Sequence, residues 1–312
     1  MELSEFYSVI ISLLVLLTVG FIGSKSGILK DDGLKGLSAV TIKIAQPCMI
    51  LGAMINVEFT RERLLKGLLV IGVGLAAHML MALIAHFSFF ANKNEDERKI
   101  AEFAAIFANC GFVGFPVIES FLGAEGLFYA GFYIISFNLF IWTWGIVIFA
   151  KGRDDIKINA KTMLVNYGTL PSIIGILIFA CRIPVPAPLG VAISSLGSLC
   201  TPLSMLVTGA LIATTKLKEF FLNPKTYYTC ALKLLVMPAV IGALVFVCRL
   251  NTFFVSFFTV MCALPTASST VMYAEMYDIG KKEAAITTGM CTLLSILTLP
   301  LTVKVLELIF YR

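Results

Sequence analysis

Charge is scarce in this chain. Asp, Glu, Lys and Arg make up 14% of its 312 residues, against roughly a quarter in an ordinary soluble domain. Hydrophobic residues reach 59%, more than a water-soluble fold of this length hides, so lipid is the solvent for much of the chain. Polar stretches long enough to form a separate soluble domain are missing too. The longest polar connectors are 25–36, 92–99 and 151–161. The sequence lacks HExxH, GxSxG and Walker patterns, which removes the motif-based case for an enzyme. The acid pairs Asp31-Asp32 and Asp154-Asp155 stand in loops without a matching cluster, unlike the paired sites that hold Mg²⁺ in membrane prenyltransferases. Only two histidines occur, His78 and His86, with no Cys, Asp or Glu nearby in their span. Neither a metal site nor a bound cofactor is expected. The eight cysteines avoid CxxC spacing, so neither a disulfide framework nor a zinc site is indicated, and they read as small apolar residues. The start of the chain lacks the basic n-region of a cleaved signal peptide, so its first apolar run is read as a true span.

What the chain has is a succession of apolar runs near the length a helix needs to cross about 30 Å of hydrocarbon. They fall at roughly 6–24, 37–56, 67–91, 100–121, 126–150, 163–182, 189–214, 226–249, 253–275 and 284–310. Ten spans in an all-α membrane protein are expected. The net charge of +5 sits in short loops and gives no reason to expect nucleic acid. The loops after the odd-numbered spans hold fifteen basic residues and the opposite loops six. The positive-inside rule then puts the odd loops in the cytoplasm and both termini on the non-cytoplasmic side of the plasma or inner membrane.

The two halves echo each other. Gln46-Pro47 in span 2 corresponds to Thr201-Pro202 in span 7. Asn109-Cys110-Gly111-Phe112-Val113-Gly114-Phe115-Pro116 in span 4 corresponds to the Pro265-Thr266-Ala267-Ser268-Ser269 stretch in span 9. Five spans separate the members of each pair, which predicts inverted repeats, 1–150 and 163–312, joined by a linker at 151–162. Matching Pro/Gly-interrupted segments in inverted halves point to a transporter's binding site.

Proline and glycine in the middle of spans 4 and 9 free backbone groups. In hydrocarbon such breaks persist only when buried in protein or lining a wet cavity. Each restarting half-helix carries partial positive charge at its beginning. Thr266, Ser268, Ser269 and Thr270 add hydroxyls and Asn109 adds an amide, so a carboxylate is the ligand these elements suit. Gln46, Pro47, Thr201 and Pro202 either flank the same centre or simply bend their helices. Asn138 and Asn166 either line the cavity or cap and link helices. Lys233, inside span 8, either attracts an anion, snorkels to the cytoplasmic surface or joins an internal ion pair. Glu119, three residues after Pro116 and so expected in the first turn of the restarted half-helix, is a proton-coupling candidate, or else a capping or salt-bridge residue.

At these breaks the sequence resembles the auxin efflux carrier family. The most specific pieces are Asn109 through Val117, the run Lys233 to Pro238, and Ala263-Leu264-Pro265 followed by Ala274-Glu275-Met276-Tyr277-Asp278. Thr288-Gly289 and Leu299-Pro300-Leu301 also fit, in order, so the resemblance spans the chain. It implies ten helices in two inverted five-helix repeats, with helices 4 and 9 broken and crossing at the substrate site. It also implies a scaffold and a mobile transport unit, as in bile-acid symporters, and a homodimer. The family's substrate-contacting asparagine falls on Asn109. The substrate site it implies comprises Asn109, Cys110, Gly111, Phe112, Gly114 and Pro116 on one side and Pro265, Thr266, Ser268 and Ser269 on the other, with Gln46, Pro47, Asn138, Thr201 and Lys233 around them. The hydroxylated stretch after Pro265 suits a small polar anion better than an aromatic one.

The expectation is therefore a secondary or facilitative transporter of small organic anions, malate-like, malonate-like or auxin-like, moving them by elevator-type alternating access. H⁺ or Na⁺ are the candidate coupling ions. A sodium-coupled symporter of the bile-acid type and a non-transporting receptor are the alternatives.

Overall fold

The computed structural model describes residues 3–55, 57–151, 166–214 and 224–311. Among these residues every regular element is helical, and one isolated antiparallel bridge joins Ala108 to Thr266. Helix α1 is Leu3–Lys25. Helix α2 covers 31–55 and contains a π turn at Thr41–Ala45. Helix α3 is Arg61–Phe89, whose first turn is held by the Thr60 hydroxyl accepting from the Arg63 amide at 3.1 Å. Helix α4, Glu95–Ile106, begins on Asn94, whose side chain accepts from the amides of Asp96 and Glu97. Three acids in its first turn, Glu95, Asp96 and Glu97, complement the positive helix start.

The chain then restarts as α5 (110–122) and turns into α6 (124–150). Gly123 separates them with φ of 68° and ψ of −164°, a conformation in which only glycine is free of Cβ strain. Helix α7 is Thr169–Cys181, α8 covers 187–214, and α9 is Pro224–Val247. Helix α10 is Thr252–Ala263, α11 is Ser269–Tyr277, and α12 is Lys281–Phe310. Six helical runs among the described residues are long and apolar enough to cross a bilayer, and three shorter apolar helices accompany them. The protein is an all-α, multi-pass membrane protein.

The centre of the molecule is built around the two interruptions. Residues 103–111 are buried without a gap, and so are residues 254–267. Phe103, Phe107, Phe128, Tyr129, Phe132, Tyr133, Phe257 and Phe258 pack there in a continuous aromatic network. Outer helices instead present Leu68, Phe87, Val247 and Leu297 outwards, each more than half exposed, as lipid-facing side chains should be. Helices α1 and α8 touch backbone to backbone. A Cβ on Gly20 would strike the Leu206 carbonyl, and one on Gly209 would strike the Leu17 carbonyl.

The prolines do not all act as the sequence suggests. Pro47, Pro116 and Pro238 each lie two residues beyond a five-residue π turn, at Thr41–Ala45, Cys110–Gly114 and Leu232–Val236. A proline removes one donor and crowds the preceding turn. The widened turn relieves that crowding, with the amides of Gln46 and Met237 reaching back to Thr41 and Leu232. Pro116 is therefore inside the restarted helix and not its breaking point. The break lies earlier, at 107–109.

Candidate functional site

Helices α4 and α5 are the two halves of one interrupted helix, and α10 and α11 are the halves of another. Their extended connectors pair with each other. The Asn109 amide donates to the Pro265 carbonyl at 2.8 Å, and the Ala267 amide donates to the Phe107 carbonyl at 2.9 Å. Asn109 Nδ2 reaches Ser268 Oγ at 3.3 Å, across 159 residues of sequence. The two breaks thus meet at one point.

Two kinds of helix end converge there. The carboxyl end of α4 would leave carbonyls bare, yet it is well supplied. Thr266 Oγ1 donates to Ala104 at 2.9 Å, Lys233 Nζ approaches the Ile106 carbonyl at 3.4 Å, and Ala267 N serves Phe107. Lys233 is 0% exposed, which corrects the expectation that it might snorkel to the surface. No ion pair with a carboxylate forms at Lys233 among the described residues. Its surroundings are the thiols of Cys110, Cys262 and Cys291. The amino end of α5 is capped by Asn109, whose Oδ1 accepts from Phe112 N at 3.3 Å and whose carbonyl accepts from Val113 and Gly114.

The amino end of α11 is different. The hydroxyls of Ser269 and Thr270 are buried with no hydrogen-bond partner among the described residues. Buried hydroxyls are normally paired, and each exception needs a reason. A cavity of about 40 Å³ lies beside Pro265 of the second connector, lined also by Leu13, Val113, Met205, Thr292 and Ser295, among others. That volume has room for water.

Several expected residues come together here: Asn109, Cys110, Gly111, Phe112, Gly114, Pro265, Thr266, Ser268 and Ser269. Gln46 joins them, its Nε2 lying 3.0 Å from where a Cβ on Gly111 would be. A Cβ on Gly114 would lie 2.7 Å from Leu264 Cδ1, so a larger residue there would push the Leu264 side chain aside. Others lie apart. Asn138 packs on Gly168 at the start of α7, and Asn166 caps that helix through the amides of Gly168 and Thr169. Thr201 and Pro202 open the second part of α8, where the Thr201 carbonyl accepts from Ser204 Oγ. Pro47 follows its π turn in α2. Glu119 is exposed and stands in the third turn of α5, about 13 Å of helix beyond Cys110. The expected first-turn position is corrected, because the helix restarts at Cys110 and not at Pro116.

The sequence reading passed over Thr292 and Ser295. With Thr288 they form an i, i+4, i+7 hydroxyl stripe on α12, a spacing that was there to be read. It also passed over the Ile106 carbonyl, which carries no sequence signal at all.

A family model described as membrane transport protein matches residues 6–303. The chain belongs to the auxin efflux carrier family. An uncharacterized transporter of Methanocaldococcus jannaschii is 26% identical over 305 residues, covering 94% of this chain and 96% of that one. An uncharacterized transporter of Methanothermobacter thermautotrophicus is 24% identical over 299 residues, covering 94% and 95%. As an auxin efflux carrier family member the protein is a membrane transporter and not an enzyme, which is what the absence of hydrolase and nucleotide motifs suggested.

Proposed function

We propose that the protein carries small organic anions across the cell membrane, binding the substrate carboxylate where α5 and α11 begin. The observation that carries this reading is the pair of buried, unpartnered hydroxyls, Ser269 and Thr270, at a helix start that crosses a second helix start. Asn109 adds a donor, because its amide has two N–H bonds and Ser268 takes one. Balance of charge supports an anion. The negative end of α4 would repel a carboxylate, but Lys233 and Thr266 neutralise it, leaving the two positive helix starts to dominate. Lys233 acts through Ile106 and is not itself a ligand. The same arrangement disfavours sodium coupling, since the carbonyls at the end of α4 that could coordinate Na⁺ already accept from Thr266, Lys233 and Ala267.

In this reading the α4–α5 and α10–α11 pairs are spans 4 and 9 of ten, in two inverted five-helix repeats with both termini outside. A homodimer with an elevator-type moving unit completes it. The cavity beside Pro265 is too small for a dicarboxylate, so α1 and α8 must separate from the crossing before substrate enters, as alternating access requires.

Counterflow of malate, malonate and indole-3-acetate in proteoliposomes tests the reading. Asn109→Ala and Pro265→Ala should each abolish exchange, and replacing Na⁺ with choline should leave it unchanged. Full activity in both variants overturns the site. Strict sodium dependence returns the case to a bile-acid-type symporter.

A further inference from the structure

A second concavity lies away from the crossing, on the outer surface between α3 and α6. Its volume is about 540 Å³, within the usual range for a small-molecule site. Buried Ala82, Phe140 and Ile148 form its floor. Its walls are Met79, Leu83, Trp144 and Val147, which are 64%, 55%, 41% and 39% exposed. From Phe140 to Lys151 the groove follows about 16 Å of helix, close to the depth of one leaflet's hydrocarbon.

One end of this apolar groove is basic. Arg98, Lys99 and Lys151 line it, with Glu102 as the acid among them. Arg98 is already engaged, 3.4 Å from Glu95 and 4.0 Å from Glu102, and His86 sits 3.6 Å from Glu102. Lys99 and Lys151 have no carboxylate within ion-pair distance among the described residues. Lys99, itself largely buried, donates to the Lys151 carbonyl at 2.7 Å, which spends one of its three N–H bonds and holds its ammonium beside Lys151 on the groove lining. The charge lies near the start of α4 and at Lys151, after the end of α6, the side the charge bias assigns to the cytoplasm. Trp144 lines the wall below, as interfacial tryptophans do.

We infer that this groove holds one acidic phospholipid of the cytoplasmic leaflet, with an acyl chain along α3 and α6 and its phosphate on Lys99 and Lys151. An uncharged chain alone would explain the apolar walls but not two ammonium groups at the groove's end that have no carboxylate within ion-pair distance among the described residues. A soluble anion would explain the ammonium groups but not the groove.

The chain has two tryptophans, so Trp142→Phe leaves Trp144 as the sole reporter. The protein is reconstituted in equal parts phosphatidylglycerol and phosphatidylcholine, with bromine on the chains of one or the other. Brominated phosphatidylglycerol should quench Trp144 preferentially, with a binding preference of about fivefold for each lysine. Lys99→Gln with Lys151→Gln should erase that preference, and Lys151→Gln alone should reduce it about fivefold. Equal quenching by the two lipids, no quenching by either, or a preference that survives both substitutions overturns the proposal.

Discussion

The ammonium of Lys233 lies 3.4 Å from the carbonyl of Ile106, deep in the molecule and 127 residues away in sequence. A lone buried cation is costly, and an unpartnered carbonyl costs about 1–3 kcal/mol. Lys233→Met removes one penalty and creates the other, so its net effect on stability should stay within about 2 kcal/mol. Transport should nonetheless fall at least tenfold, because the negative end of α4 would face the substrate. Thermal unfolding and counterflow on the same preparation check this. A stability loss that fully accounts for the lost transport contradicts it.

Asn109 has two separable duties. Its carbonyl oxygen caps α5 and its amide nitrogen meets Ser268. Asn109→Asp keeps the cap, since aspartate is as good an N-cap as asparagine, but replaces a donor with a negative charge. Asn109→Asp should unfold within about 1 kcal/mol of the wild type and exchange no anion. Asn109→Ala should lose both the cap, worth about 1 kcal/mol, and activity.

Thr270 gives the opposite test. Its hydroxyl is buried and has no hydrogen-bond partner among the described residues, so Thr270→Val should be neutral or stabilising by up to about 1 kcal/mol. The same change should raise the substrate concentration needed for half-maximal exchange. A clear loss of stability would mean that the hydroxyl has a structural partner.

Gly114 and Leu264 meet where the two connectors cross. Gly114→Ala should destabilise by about 1–3 kcal/mol through overpacking. Leu264→Ala should be costly alone yet relieve part of that penalty in the double variant, a coupling of about 0.5 kcal/mol or more. Additive losses contradict the contact.

Outside the membrane, Glu97 of α4 pairs with Lys225 at the start of α9. Lys225 holds the Glu97 carboxyl below the usual carboxylate range. A depressed carboxylate stabilises the fold above its unfolded value of about 4.3, and that contribution is lost as pH falls through the folded value. Both groups are partly exposed, so the pair is worth at most about 1 kcal/mol. Glu97→Gln should lower the unfolding temperature slightly at pH 7, and the gap should close by pH 3.

Much of this was legible in the sequence for physical reasons. Lipid solvent forces long apolar runs, and backbone breaks inside them need Gly, Pro and small polar residues, so Asn109–Gly114 and Pro265–Ser269 announced themselves. What stayed hidden depends on where turns widen and on backbone groups. Pro116 looked like the breaking point because sequence does not reveal the π turn that accommodates it, and Glu119 was misplaced by the same error. Lys233 could not be told from a snorkelling lysine, since the Ile106 carbonyl that holds it carries no residue signal. Asn138 read as either a cavity amide or a helix link, and the structure sets it against Gly168.

The central claim is that an anion sits at the crossing, and a heavy-atom substrate locates it without reference to kinetics. Crystals of the wild type grown with bromomalonate should give an anomalous bromine peak beside Asn109 and Thr270, and none in Asn109→Asp. A peak elsewhere, such as the cavity between Asn94, Glu97 and Lys225, with the crossing vacant in a substrate-bound carrier, would contradict the account.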